Sequence, residues 1–303
     1  MDTQPSVSQE NWNYLQSGTM LDDYVIERSL AHGGFSSVYL ARHKRTQVQV
    51  AIKEYLPRRL AQRTWNNVVK IRGDDTRVLF EYGRNLFFEE AKMLAGIKHP
   101  NIVNVENFFS ANATAYMVMT YDYGLTLDKL ILNKSLTFDV PLLAQIFRPL
   151  LDAVHFIHQT GWLHLDIKPA NILLRPDYSP VLLDFGAIQH YPELPGQKTT
   201  RVMTRGFSPI EQYHDHARLG PYTDIYAIGA SMRACLESKQ PPVAIERQEH
   251  DTLKPLAKSF KHRDASDFLA AIDWAMAVLP EDRPQSIEAL AEAFSAASVD
   301  SVP

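Results

Sequence analysis

Cysteine is nearly absent from this chain. Cys235 is the single one in 303 residues, which excludes an intramolecular disulfide and a cysteine-based zinc site. A lone thiol fits a reducing compartment, and its place in an apolar, helix-like run reads as a buried structural group rather than a reactive one. Long apolar runs are missing as well. No uninterrupted stretch reaches the roughly 18 residues of a membrane span, and residues 1–10 are polar and mildly acidic where a secretory leader would be basic and then apolar. These two absences give the expectation of a cytoplasmic chain with no membrane span. Positive charge is not in excess either: 31 Lys and Arg against 35 Asp and Glu leave a formal net charge of −4, so nucleic acid is not an expected partner. No internal repeat or low-complexity tract appears. At 45% hydrophobic and 22% charged, the composition is that of an ordinary globular protein.

Residues 1–20 lack periodicity and read as a flexible or loosely docked leader. Strand signals follow at Tyr24–Leu30, Ser37–Arg42 and Val48–Tyr55, separated by the turns His32-Gly33-Gly34 and Lys44-Arg45-Thr46. In the polar stretch 56–80, residues 67–72 and 76–82 flank Gly73-Asp74-Asp75 and read as an extra hairpin. Helical spacing takes over at 81–97, with Leu86, Phe87, Ala91, Leu94 and Ile97 on one face. Strands are predicted at 102–109 and 114–120. The remainder is mostly helical: Thr126 caps a helix to Leu132, and Pro141 opens one to about His158 that Pro149 should kink. Three more helices are expected at 222–236, 265–278 and 286–297. The organisation is therefore α+β: a β-rich region 21–120 with one main helix and an insertion at 56–80, a linker 121–124, a mainly helical region 125–297 and a tail 298–303.

The stretch from Trp162 to Ala187 carries the densest chemistry. Asp166, Asn171 and Asp184 stand at fixed spacing with Lys168 between them, and the apolar runs 172–174 and 181–183 flank the turn Pro176-Asp177-Tyr178-Ser179-Pro180. Read as a small hairpin, these runs would hold two loops side by side, one ending at Asn171 and one beginning at Asp184. Oxygen ligands so placed suit Mg²⁺, which takes one or two carboxylates plus substrate phosphates. A further carboxylate, free of metal, could orient a hydroxyl nucleophile.

Two other signals are weaker alone. The turn Ala31-His32-Gly33-Gly34-Phe35-Ser36 could bring backbone N–H groups close to phosphate oxygens, though an ordinary glycine hairpin explains it equally. Lys53 ends the apolar strand Val50-Ala51-Ile52-Lys53, where an inward ammonium needs a partner. Glu90 on the following helix could supply it, or Lys53 could simply snorkel from a strand end.

Taken in order, the glycine-rich turn, Val-Ala-Ile-Lys, the helix glutamate, His164-Leu165-Asp166 with Asn171, and Asp184-Phe185-Gly186 resemble the signature set of eukaryotic-type protein serine/threonine kinases. AIKEYLP, HLDIKPAN and SPIEQY look most like bacterial members. The resemblance covers about residues 22–297 and implies a bilobal kinase fold, with ATP and Mg²⁺ as cofactors and a protein as substrate. It is compatible with autophosphorylation and with a homodimer.

The resemblance also implies roles. The turn with Ala31, Gly33, Gly34 and Ser36 should cover the ATP phosphates; Lys53 should contact the α- and β-phosphates and Glu90 should fix it. Asp184 and Asn171 would hold metal, Asp166 would orient the substrate hydroxyl, and Lys168 would neutralise charge on the transferring group. Thr204 matches the threonine beside the substrate site. The purine would meet backbone groups of Thr120 and Asp122 beside Met119, with Val38, Ala51 and Leu173 against its faces. Leu94, Val105, His164 and Phe185 match an apolar column, Glu211 and Arg283 an ion pair, and Asp224 a cap on the catalytic loop.

The chain departs from the family pattern in three places. Ala31 and Ser36 replace two glycines of the turn, narrowing its backbone freedom. Leu165 stands where the family has an arginine that pairs with a phosphorylated activation segment, so that Thr199 and Thr200 would not need modification. The 56–80 insertion could brace the Glu90 helix, dock a partner or be passive. A regulatory pseudokinase and a small-molecule phosphotransferase remain as alternative functions.

Overall fold

The computed structural model describes residues 14–192, 201–260 and 266–296. The chain divides into two compact units, one running to His99 and taking up Val103–Asp122, the other holding Pro100–Ile102 and the residues from Tyr123 on. The division between Asp122 and Tyr123 falls inside the 121–124 stretch.

Strand alternation builds the first unit. Met20–Leu21 (β1), Tyr24–His32 (β2), Ser36–His43 (β3), Gln49–Tyr55 (β4), Val105–Ala111 and Thr114–Thr120 form one antiparallel sheet; with the short strands Ala61–Arg63 (β5) and Val69–Ile71 (β6) lying between in the chain, the last two are β7 and β8, and the order is β1-β2-β3-β4-β8-β7. Val50 and Ile52 face a buried cluster with Ile26, Tyr39, Tyr116 and Val118, while Ala51 and Lys53 alternate to the opposite face. Leu15 joins that cluster, and the Tyr14 ring stacks 3.5 Å from His32. Tyr14 and Leu15 thus dock the end of the expected leader on the sheet, while Gln16, Ser17, Gly18 and Met20 stay exposed.

The insertion differs from its predicted form. Its hairpin pairs Ala61–Arg63 with Val69–Ile71, turning at Asn67, whose positive φ of 67° asparagine tolerates. Residues 76–82, expected as a strand, open the main helix α1 (Arg77–Ala95). Of Val78, Leu79 and Phe80 only Phe80 points inward, at 1% exposure against 75% and 59%, a helical rather than alternating pattern. Asp74 and Asp75 just before it favour a helix start. Phe87, Ala91, Leu94 and Ile97 face inward as expected and Phe80 and Glu90 join them, but Leu86, assigned to the same face, is 47% exposed.

In the second unit Leu125–Thr126 (β9) leads into α2 (Leu127–Asn133), and α3 (Val140–Gln159) is capped by Asp139, whose side chain accepts from Leu142 N–H. Thr126 holds the N-cap position of α2 without a side-chain cap bond. Among the described residues α3 is the one helix whose length and mean hydropathy, 1.3, would suit a membrane span; its Leu143, Ile146, Phe147, Leu150 and Val154 are buried within the unit. It continues through Pro149. Trp162–Leu163 (β10) pairs with Gln189–His190, and Ile172–Leu174 (β11) with Pro180–Leu182 (β12); the partner of β10 is then β13. The predicted strand 102–109 begins only at Val105, because Asn101 and Ile102 instead bond to Pro180 and Leu182. Helices α4 (Pro221–Glu237), α5 (Ala244–Glu249), α6 (Leu256–Ser259), α7 (Ser266–Ala275) and α8 (Ile287–Ala296) complete the unit. Cys235 is buried in α4, and burial pushes its thiol well up.

Candidate active site

The β11–β12 hairpin fixes the spacing of the chemical groups in the second unit. Ile172 pairs with Leu182, and one step further Leu183 N–H donates to Asn171 O at 2.8 Å, so the loops ending at Asn171 and beginning at Asp184 lie side by side as the sequence suggested. Leu165 and Asp184 both take positive φ, 63° and 52°, a strained backbone that clusters at functional positions.

Asp166 is the centre of a closed set of hydrogen bonds. Lys168 Nζ donates to both its carboxylate oxygens, at 2.9 and 2.7 Å. Thr204 Oγ1 donates to Oδ1 at 2.8 Å, and Asn171 Nδ2 donates to Oδ2 at 3.1 Å and to the Asp166 carbonyl at 2.8 Å. Lys168 also donates to Thr204 Oγ1 at 3.1 Å. With its amide nitrogen turned to Asp166, Asn171 offers its carbonyl oxygen elsewhere. That oxygen and the Asp184 carboxylate make an oxygen-only donor set, which fits Mg²⁺ better than a soft metal. Asp184 Oδ1 accepts from Gly186 N–H at 3.3 Å.

The loop from His164 to Asn171 is held from below by Asp224 on α4. Its Oδ2 accepts from His164 N–H at 2.9 Å and its Oδ1 from Leu165 N–H at 2.8 Å, and His158 Nε2 lies 2.8 Å from Oδ2. Burial alone would raise this carboxyl, but the His158 hydrogen bond and charge, with the His164 contacts, hold it below the usual range. Burial lowers the pKa of His164, against the pull of the Asp224, Asp166 and Asp184 charges: its Nδ1 accepts from Asp166 N–H at 3.3 Å and its Nε2 lies 3.3 Å from Leu183 O, beside the Phe185 ring at 4.6 Å. A carboxyl depressed on folding stabilises fully above its unfolded pKa and ceases to as pH falls through the folded value. The melting temperature of Asp224→Asn should therefore lie well below that of the unaltered protein at pH 7, and the gap should narrow below about pH 4. A gap independent of pH would show that the Asp224 charge is not what holds the loop.

In the first unit Lys53 and Glu90 are both buried, and Lys53 Nζ donates to Glu90 Oε1 at 2.7 Å. Of the two readings left open for this lysine, pairing is the one realised. The turn Gly33–Phe35 closes with Gly33 N–H donating to Ser36 O at 2.8 Å, and Ala31 pairs with Val38, Val38 with Lys53 and Ala51 with Met119. Thr120 N–H is committed to Asn104 O at 3.0 Å, and Asp122 closes the unit. Leu94 and Val105 are buried here, as Leu173 is in part on β11.

A family model for the protein kinase domain matches residues 24–295. The chain belongs to the protein kinase domain family. This kinase domain is 29% identical over 286 residues to serine/threonine-protein kinase D of Synechocystis sp., covering 91% of the chain and 52% of that protein. It is 28% identical over 279 residues to serine/threonine-protein kinase PknB of Mycobacterium tuberculosis, covering 88% of the chain and 41% of that protein. The chain thus spans about half or less of the length of these relatives. The structure of PpkA-294 in its apo form is similar at 35% identity and a TM-score of 0.83, over 93% of this chain and 99% of that one.

Two buried or bridging contacts near the kinase domain's candidate site escaped the sequence reading. Gln212, buried, donates from Nε2 to Leu165 O at 2.8 Å and to Val202 O at 3.2 Å. Arg201 donates to the carbonyls of Glu211, Asp215 and Ala217. Both act through backbone carbonyls, which leave no mark on residue type; only the quoted SPIEQY pointed near them. Thr199 and Thr200 lie outside the described residues.

Proposed function

We propose that this protein is an ATP- and Mg²⁺-dependent serine/threonine protein kinase. The carboxylate of Asp166, oriented by Lys168, Thr204 and Asn171, is the observation that carries the reading. Asp166 accepts the proton of a substrate hydroxyl as that oxygen forms its bond to the γ-phosphorus, the bond to the β-bridging oxygen breaks, and ADP leaves. Lys168 neutralises charge gathering on the transferred group, an electrostatic contribution that needs little movement because the ammonium is already in place. Lys53, kept extended by Glu90, takes the α- and β-phosphates, and the Gly34 and Phe35 N–H groups of the turn cover them. Asp184 and Asn171 would hold Mg²⁺, which supplies charge neutralisation on the phosphate oxygens. Met119, Thr120 and Asp122 take the purine edge, and Val38 and Ala51 one of its faces. Labelled ATP incubated with the protein and a generic protein acceptor tests this: transfer to serine or threonine should require Mg²⁺ and vanish with a chelator. Nucleotide binding without transfer to protein would point to a regulatory module or to a small-molecule acceptor.

The apolar setting of Leu165 bears on control. Leu165 is buried in a cluster with Leu163 and Leu219, with Ala187 packed alongside, and it has no donor to offer a phosphate. Activity is therefore independent of a phosphorylated activation segment. Phosphatase treatment should lower turnover by less than about tenfold, a barrier change under about 1.4 kcal/mol; a larger loss would overturn this part of the reading.

A further inference from the structure

The insertion between Lys53 and Glu90 is tied into the first unit at its deepest point. Arg63, on β5, is 1% exposed in its side chain and pairs with Glu54, which is 0% exposed. Tyr39 OH donates to Glu54 Oε2 at 2.9 Å and Tyr116 OH to Oε1 at 2.5 Å. Asn112 Nδ2 donates in turn to Tyr116 OH at 3.0 Å, and Arg63 Nη1 donates to Asn67 O at 2.8 Å. Burial alone would lower the Arg63 guanidinium's pKa, but the Glu54 charge and hydrogen bond raise it on balance. Glu54 is the residue after Lys53. Successive side chains of a strand point to opposite faces, so β4 is gripped on one face by Arg63, Tyr39 and Tyr116 and on the other by the Lys53–Glu90 pair. Rotation of the strand about its axis would displace both.

The same insertion reaches the glycine-rich turn. Leu56 N–H donates to Phe35 O at 2.9 Å and Arg58 N–H to Gly34 O at 3.1 Å, while Val69 N–H donates to Asn112 O at 2.8 Å and ties the hairpin back to the turn between β7 and β8. One short segment thus touches the backbone of the turn, the strand of Lys53 and the β7–β8 turn. A buried ion pair adds little to stability compared with an apolar pair, and is better placed to fix one geometry among near alternatives.

We propose that Arg63 is a positioning residue for phosphoryl transfer, setting the rotation of β4 and hence the direction of the Lys53 ammonium. The inference rests on the reading of Lys53 as the phosphate contact. Arg63→Met alone strands the Glu54 charge in the interior and tests folding more than function, so the informative variant is Glu54→Gln/Arg63→Met, in which no unpaired charge is buried. Its melting temperature should return close to that of the unaltered protein, because removing both charges of a buried pair is often neutral. Its kcat/KM for Mg·ATP should nevertheless stay at least about fivefold low, with KM for a protein acceptor within about twofold. Adding Lys53→Met to that double variant should then cost no more than Lys53→Met followed by a further change of less than about twofold, since coupled sites do not add. Recovery of kcat/KM together with stability, a parallel rise in KM for both substrates, or full additivity with Lys53→Met would each reduce Arg63 to a structural residue. If Lys53→Met by itself leaves the rate unchanged, the reading of Lys53 falls, and the proposal with it.

Discussion

Asp166→Asn is expected to lower kcat by about 10²–10⁴-fold, the range a positioned general base contributes, while leaving the melting temperature and the KM for ATP close to their original values. The reason lies in what the amide keeps. Asparagine retains one acceptor oxygen for Lys168 Nζ and Thr204 Oγ1, which now lie 2.9 and 2.8 Å from Oδ1; its amide nitrogen replaces the Oδ2 that Lys168 and Asn171 also donate to, a local loss, while the loop backbone stays held by Asp224. What it loses is the negative charge and the ability to take a proton from the incoming hydroxyl. Asp166→Ala is a harsher change, because Lys168 then loses both carboxylate contacts and is left with Thr204. Single-turnover measurements with each variant separate the effects: if Asp166→Asn turns over within about tenfold of the unaltered protein, proton acceptance by Asp166 is not part of the reaction.

The second large effect concerns the interior of the second unit. Arg283 is 0% exposed in its side chain and Glu211 is 2% exposed. They form a bidentate pair at 2.7 and 3.0 Å. Arg283 also donates to the carbonyls of Ala277, Val278 and Tyr222, and its guanidinium lies 4.8 Å from the centre of the Tyr226 ring. Glu211→Ala leaves that cation buried without its counter-charge, a loss of about 3–5 kcal/mol. For a unit of this size each kcal/mol is worth about 2–4 °C, so the melting temperature should fall by about 6–20 °C. The paired variant Glu211→Met/Arg283→Met should recover most of the loss, since no charge is then buried alone. A Glu211→Ala protein melting within about 2 °C of the original would show that Arg283 reaches water when the carboxylate is gone.

The side chains of the candidate site were legible in the sequence. Lys53, Glu90, Asp166, Lys168, Asn171, Asp184 and Thr204 could be proposed because phosphoryl transfer demands particular side chains in a particular order, and the sheet strands from Tyr24 to Tyr55 because their apolar residues alternate. Asp224, Glu211 and Arg283 were legible only through the family resemblance; nothing in their residue type alone marks them as buried partners. The insertion was not legible. Strands of the length of Ala61–Arg63 and Val69–Ile71 are too short for a period of two to emerge, and the apolar run at Val78–Phe80 imitated a strand. Helices α5 and α6 were missed for the same want of length. Gln212 and Arg201 were invisible because they bind carbonyls, which every residue carries.

One consequence of the fold is practical. Cys235 is the chain's single cysteine and lies sealed in α4 with its thiol held protonated, and thiol reagents attack the thiolate. This chain therefore offers a silent background for site-directed labelling. A cysteine placed at Phe35, 75% exposed at the tip of the glycine-rich turn, would be the one position in this chain to accept a fluorophore or spin label, and would report motion of that turn.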